Sequence, residues 1–271
     1  MRYPIVAGTF YSSDKAQLKD SISALLSKKW IDAKINAVGA IFVPNGKYSE
    51  TEALMGAAYS ELFGIAENTT FVIIGPNTLK RGKPVAISQE CWITPLGKVE
   101  YDRDFAELIK QHSTFAEFDD FAHMYEPSIE IQLPFIQNIV ESPKMVAISV
   151  CMSNKAIVYD LVNAIQAAAG LCKKNIMVIA ACDFITKDDS LTAETETNRY
   201  LEMLSICKEA DFDNFANHLE TSNGFSNHSI FLIPLLFSLR RKFSPLVAGK
   251  TVVKTGVKEQ SRSYVSVVYY K

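Results

Sequence analysis

Four short runs of apolar residues, rich in Val and Ile, punctuate the chain at positions 37–43, 70–74, 145–151 and 175–181. None alternates with polar residues over its length, so each predicts a strand buried on both faces. Between them the apolar period changes to that of a helix. Residues 17–26 place Leu18, Ile22, Leu25 and Leu26 on one face, 52–63 do the same with Leu54, Ala58 and Leu62, and 156–169 with Ile157, Leu161 and Ile165. Strands that alternate with helices predict a mainly parallel sheet covered on both sides.

Two regions break this alternation. Residues 83–102 hold short β-like segments at Val85–Ile87 and 91–94, then a Pro95-Leu96-Gly97 turn, which predicts a hairpin at a sheet edge. Near the carboxyl terminus, 251–257 and 263–270 flank a polar linker and read as an antiparallel pair. The run 230–239 contains Pro234 and Ser238 and ends in Arg240 and Arg241, which suits a buried helix. With no repeat and no long Pro/Gly/Ser linker, the expectation is one α/β domain over residues 1–271, its antiparallel strands at the edge and carboxyl terminus.

Composition narrows the function classes. Of 271 residues 48% are hydrophobic, and 28 basic side chains against 30 acidic ones give a net charge of −2. Such a balance offers no electrostatic footprint for nucleic acid, and the core content excludes general disorder. The opening residues lack a signal-peptide core and no run approaches a membrane span, so a cytoplasmic protein without a membrane partner is expected. Five scattered cysteines lack any Cys-x-x-Cys pair, and Cys182, at the end of an apolar run, reads as a small buried hydrophobe. Trp92 reads as core.

In open α/β sheets ligands bind beyond the carboxyl ends of the strands. Those ends are polar here: Pro44-Asn45-Gly46-Lys47-Tyr48, Gly75-Pro76-Asn77-Thr78, Met152-Ser153-Asn154 and Cys182-Asp183-Phe184-Ile185-Thr186-Lys187. Converging, they line a cleft with amides, hydroxyls, a carboxylate and lysines, although Pro, Gly and Asn also end strands and cap helices for backbone reasons. No phosphate-binding loop, dinucleotide fingerprint, nucleophile elbow or His-Glu-x-x-His is present. The densest polar segment runs from His123 to Phe135; Pro127 suits a first helical turn, and His123 with Glu126 forms a candidate acid/base pair.

Several of these segments together resemble the MEMO family, whose fold is like that of class III extradiol ring-cleaving dioxygenases. Arg2-Tyr3-Pro4-Ile5-Val6-Ala7-Gly8-Thr9-Phe10-Tyr11 is similar to its opening motif, Trp92-Ile93-Thr94-Pro95-Leu96-Gly97 to its hairpin, and Glu126 through Phe135 to its Glu-His-Ser-x-Glu-x-Gln-Leu-Pro-Phe signature. The departures fall where the resemblance implies metal chemistry. Asn45, Thr78, Pro127 and Thr186 stand where the family pattern has histidines, and Asn223-Gly224 best matches its Cys-Gly, with the spacing to His228 shifted. Amide and hydroxyl groups are poor ligands for copper, iron or zinc, so no transition metal and no cofactor is expected.

The leading expectation is a MEMO-like protein with a degenerate, metal-free cleft that binds a small polar ligand or peptide through Asn45, Lys47, Tyr48, Asn77, Thr78, Thr186, Asn223 and His228. The alternative is a residual enzyme in which His123, Glu126 and Asp183 do acid/base work or hold a hard cation such as magnesium or calcium. A third reading is a scaffold for a protein partner, with Lys47, Lys80, Arg81 and Lys83 as a basic rim.

Overall fold

The computed structural model describes residues 1–222, 225, 227–255 and 260–271. In chain order the elements are α1 (Lys15–Leu26), β1 (Val38–Val43), α2 (Tyr48–Tyr59), β2 (Thr70–Pro76), β3 (Val85–Ile87), β4 (Trp92–Thr94), β5 (Gly97–Tyr101), α3 (Arg103–His112), β6 (Ala116–Phe118) and α4 (Leu133–Ile139). There follow β7 (Lys144–Val150), α5 (Lys155–Cys172), β8 (Ile176–Ala181), β9 (Ile185–Lys187), α6 (Ser190–Ile206), α7 (Phe212–Glu220), α8 (His228–Arg240), β10 (Ser244–Lys254) and β11 (Ser261–Tyr270).

One mixed sheet runs through the molecule in the order β10-β11-β1-β8-β2-β7-β3-β6. Its centre, β1-β8-β2-β7, is parallel, and these are the four strands that the unbroken apolar runs predict. Each sends alternate residues to opposite layers, as a two-residue pleat requires. Ala40, Phe42, Val72, Ile74, Val178 and Ala180 face a core shared with α3, α5 and α8. Ile41, Val43, Phe71, Ile73, Met177 and Ile179 face a second core shared with α1, α2 and α4. Antiparallel β11 and β10 complete one side of the sheet.

Local chemistry sets several helix starts. Asp14, Asp102, Asn154 and Asp189 each accept a backbone N–H in the first turn of α1, α3, α5 and α6. α2 begins at Tyr48, four residues before the expected start, because Tyr48 is buried and its N–H is held by the Phe10 carbonyl at 2.9 Å. Pro127 does not open a helix; the chain makes a turn there, and Pro134 occupies the first turn of α4 instead. The Pro95-Leu96 turn joins β4 to β5, whereas Val85–Ile87 pairs with β7 and β6. β10 starts at Ser244, well before the expected 251, and the end of that expected strand lies outside the described residues.

Candidate functional site

Parallel pairing brings the polar strand ends together. Val43 is in register with Ala181, Ile74 with Ala180, and the Cys182 N–H continues the ladder to the Val43 carbonyl at 3.2 Å. Asn45 and Asp183 therefore leave the sheet side by side, with Asn77 and Thr78 following from the next strand. Asp183 lies where β8 turns into β9, and its Oδ2 is 2.9 Å from Nε of Arg262. Arg262 reaches this point because β11 pairs antiparallel with β9, placing it opposite Thr186.

The surroundings of Asp183 are acidic. Burial pushes the Asp183 carboxyl up to about 6; Arg262 acts against this, while the carboxylates of Glu126 and Glu50 add to it. Glu126 is fixed by the Thr78 N–H at 3.0 Å, the Thr78 hydroxyl at 2.6 Å and the Ser128 N–H at 3.2 Å. Glu50, in the first turn of α2, accepts the Tyr264 hydroxyl at 3.4 Å. Burial and the Asp183 carboxylate raise the Tyr264 phenol to about 12. Gly46 allows the loop after β1 to lie on that ring: a Cβ at this position would stand 2.8 Å from the Tyr264 hydroxyl. Two acceptors within this setting, Asn45 Oδ1 and Asp183 Oδ1, are shut off from solvent with no hydrogen-bond partner.

Other candidates have structural employment. His123 is buried with its Nε2 3.1 Å from the Ala86 carbonyl and its ring edge on Trp92, and burial lowers it to about 4; its side chain does not meet that of Glu126. Tyr48 donates its hydroxyl to the Ile131 carbonyl at 2.6 Å. Asn77 staples its own loop, donating to the Arg81 carbonyl at 2.5 Å and accepting the Arg81 N–H at 3.1 Å. Asn154 is a helix cap. Lys47 is exposed on the rim, near the face of Phe10. His228 opens α8 with its Nδ1 3.4 Å from the Phe225 carbonyl; burial lowers its pKa, and its Nε2 is shut off from solvent with no hydrogen-bond partner. Asn223 lies outside the described residues. A cavity of about 940 Å³ is at the opposite, amino-terminal end of β1, β8 and β2; of its charged residues, Lys174 is committed to Asp102 at 2.6 Å.

The Memo-like protein family model matches residues 2–268. The chain belongs to the Memo-like family. A MEMO1 family protein of Thermococcus onnurineus is 34% identical over 192 residues, and the match spans 68% of this chain and 65% of that protein's length. One from Methanothermobacter thermautotrophicus is 30% identical over 212 residues, 76% of each chain. A crystal structure of an uncharacterized protein from Escherichia coli K12 shares the fold, with a TM-score of 0.52 over 86% of this chain and all of that one at 13% identity.

In this Memo-like protein the motifs at the two ends of residues 2–135 form one buried network. Arg2 lies 3.9 Å over the Trp92 ring and pairs with Glu130 at 2.8 Å. Glu130 also accepts the N–H groups of Ile5 and Val6 and the Tyr11 hydroxyl. Gln132 ties the Pro44 carbonyl to this frame at 3.0 Å. The signature thus holds the loop that carries Asn45. Arg262, Tyr264 and Glu50 are site neighbours that motif reading missed; the two-residue period of β11 puts Arg262 and Tyr264 on one face, a signal available in the sequence. Among the described residues, no group of three or more His, Cys, Asp or Glu side chains is placed to hold a metal ion. Among the described residues no helix is long and apolar enough to cross a membrane.

Proposed function

We propose that this Memo-like protein binds a small polar ligand or short peptide in the cleft at the carboxyl ends of β1, β8 and β2, without a transition metal. The observation that carries the reading is the pair of buried, unpartnered oxygens on Asn45 and Asp183, just beyond the ends of the paired strands β1 and β8. Leaving a buried acceptor unmet costs about 1–3 kcal/mol, so a ligand that supplies N–H or O–H donors gains what the apo cleft forgoes. Arg262 and Lys47 supply the complementary donors for an acidic group of the same ligand. The donor set does not fit copper, iron or zinc: Asn45, Thr78 and Thr186 offer an amide and hydroxyls, and the His123 imidazole is held on the Ala86 carbonyl.

The test has two arms. Metal analysis of gently purified protein should find no stoichiometric iron, copper or zinc; stoichiometric metal lost in an N45A variant would sink the metal-free reading. A thermal-shift screen of small polar metabolites should yield stabilisers whose effect disappears in both N45A and D183N. A second reading, residual acid/base catalysis, is favoured by the elevated Asp183 carboxyl, since a group near 6 exchanges protons readily at neutral pH. It requires a ligand found in that screen to be turned over, with the rate lost in D183N.

A further inference from the structure

The cavity of about 940 Å³ at the amino-terminal end of β1, β8 and β2 belongs neither to the cleft nor to the signature network, and it holds two unpaired charges of opposite sign. Glu61, just past α2, and Arg241, at the end of α8, both line it, and neither takes part in the ion pairs found among the described residues. The other charged residue of the wall, Lys174, is committed to Asp102. Lys29 acts on Glu61 from a distance and is itself paired with Asp32 at 3.0 Å. Arg240, beside Arg241, faces Glu209 at 3.9 Å and Asn163 at 2.7 Å.

The sheet keeps the two charges apart. α2 packs in the layer of α1 and α4, whereas α8 packs in the layer of α3 and α5, and the first residues of β1 and β8, Val38 and Ile176, stand in the cavity wall between them. The Arg241 guanidinium lies 5.0 Å from the Phe237 ring centre and 5.7 Å from that of Phe243, which fixes its place. Burial lowers it, with no carboxylate acting in the other direction, and burial raises the Glu61 carboxyl. Each group therefore carries its charge at a cost that no close partner offsets. The wall is otherwise mixed: Leu62 and Met177 are apolar, Asn36 and Gln166 polar, and Thr69, 2% exposed, has a hydroxyl without a partner. A molecule positive at one end, negative at the other and built of amides and aliphatic groups in between matches that order.

We infer that this cavity takes a zwitterionic amino compound of the short free peptide class, with its ammonium group at Glu61 and its carboxylate at Arg241. An extended peptide covers about 3.3–3.6 Å per residue, so a few residues reach from one layer to the other. A simple anion fits less well because Glu61 repels it, and a simple amine because Arg241 does. The cavity lies at the far end of the sheet from Asn45 and Asp183 and does not depend on what that cleft binds.

The experiment uses the full chain in calorimetric titrations with Gly-Leu, Gly-Leu-Gly and Gly-Leu-Gly-Gly, each with both ends free, and then with the tightest binder as its N-acetyl and carboxamide forms. One length should bind saturably and better than the others, because the gap between the two charges is fixed, and blocking either end should weaken it at least about tenfold. E61Q should bind the free and N-acetyl peptides alike, and R241Q the free and carboxamide peptides alike, each at about the weakened level. N45A and D183N should bind as wild type does, which separates this cavity from the cleft. Glu61 is half-buried and Arg241 exposed, and both variants are checked for unchanged circular dichroism; the free and blocked peptides on the wild-type chain decide the matter even where a variant fails to fold. No binding at any length, equal binding of all lengths or of free and blocked forms, or a loss in D183N instead of in E61Q and R241Q overturns the inference.

Discussion

Glu130 is fully buried and meets Arg2, two backbone N–H groups and a tyrosine hydroxyl with a single carboxylate. Its partner Arg2 is only 5% exposed at the side chain, and burial depresses the guanidinium even though Glu130 supports its charge. Removing the negative member strands that cation out of water, so Glu130→Gln is expected to destabilise the fold by about 3–5 kcal/mol in urea unfolding, with the isosteric amide excluding a packing explanation. A second residue-scale expectation concerns Asp183. Its carboxyl is raised by burial, so the charged form is the disfavoured one in the folded protein. Asp183→Asn should leave stability at pH 7 equal to or above wild type while removing ligand-induced thermal shifts. A loss of stability at pH 7 would instead make the Arg262 contact a structural pair.

At the scale of elements, the end of β2 shows how closely the site is fitted to the segment that bears the family signature. A Cβ on Gly75 would stand 2.4 Å from Ser128 Oγ and 3.0 Å from Ile129 Cγ1, and Ser128 Oγ itself has no partner. Gly75→Ala is expected to cost about 1–3 kcal/mol by overpacking. Adding Ser128→Ala removes the nearest atom and should return much of that loss; strictly additive effects in a double-mutant cycle would contradict the close approach. The elements legible in the sequence are those whose burial is local and continuous: the four central strands and the faces of α1 and α5. α6 is harder to see because Thr197 interrupts its buried stripe of Ala193, Tyr200, Leu201 and Leu204. The grouping of polar residues is legible in position, since the ends of paired strands mark Asn45, Thr78 and Asp183. It is less legible in role. Asn77 and Tyr48 look like ligand groups until their partners, Arg81 and the Ile131 carbonyl, are seen. Nothing near Asp183 in sequence announces Arg262, which arrives through β11.

Over the whole molecule, two perturbed titrations of opposite sense within the acid range belong to groups with separate surroundings, His123 beneath Trp92 and Asp183 at the end of β8. His123 falls from 6.5 to about 4 because burial penalises its cation. The unfolded chain therefore binds the proton first, and stability worth about 3 kcal/mol, present above pH 6.5, is lost as pH falls toward 4. Asp183 rises from 3.8 to about 6, chiefly by burial. Here the folded chain binds the proton first, so its contribution grows as pH falls through the same interval. The slopes oppose one another, and wild-type stability should vary little between pH 4 and 6 on their account. Separate variants expose the two limbs. Asp183→Asn should become steeply less stable as pH drops from 6.5 to 4, His123→Gln should become more stable over that range, and the double variant should return to a shallow profile. Urea midpoints measured across the interval decide it, because all other carboxylates are common to the four proteins and drop out of the differences. Parallel profiles for the two single variants would show that burial does not set these protonation states.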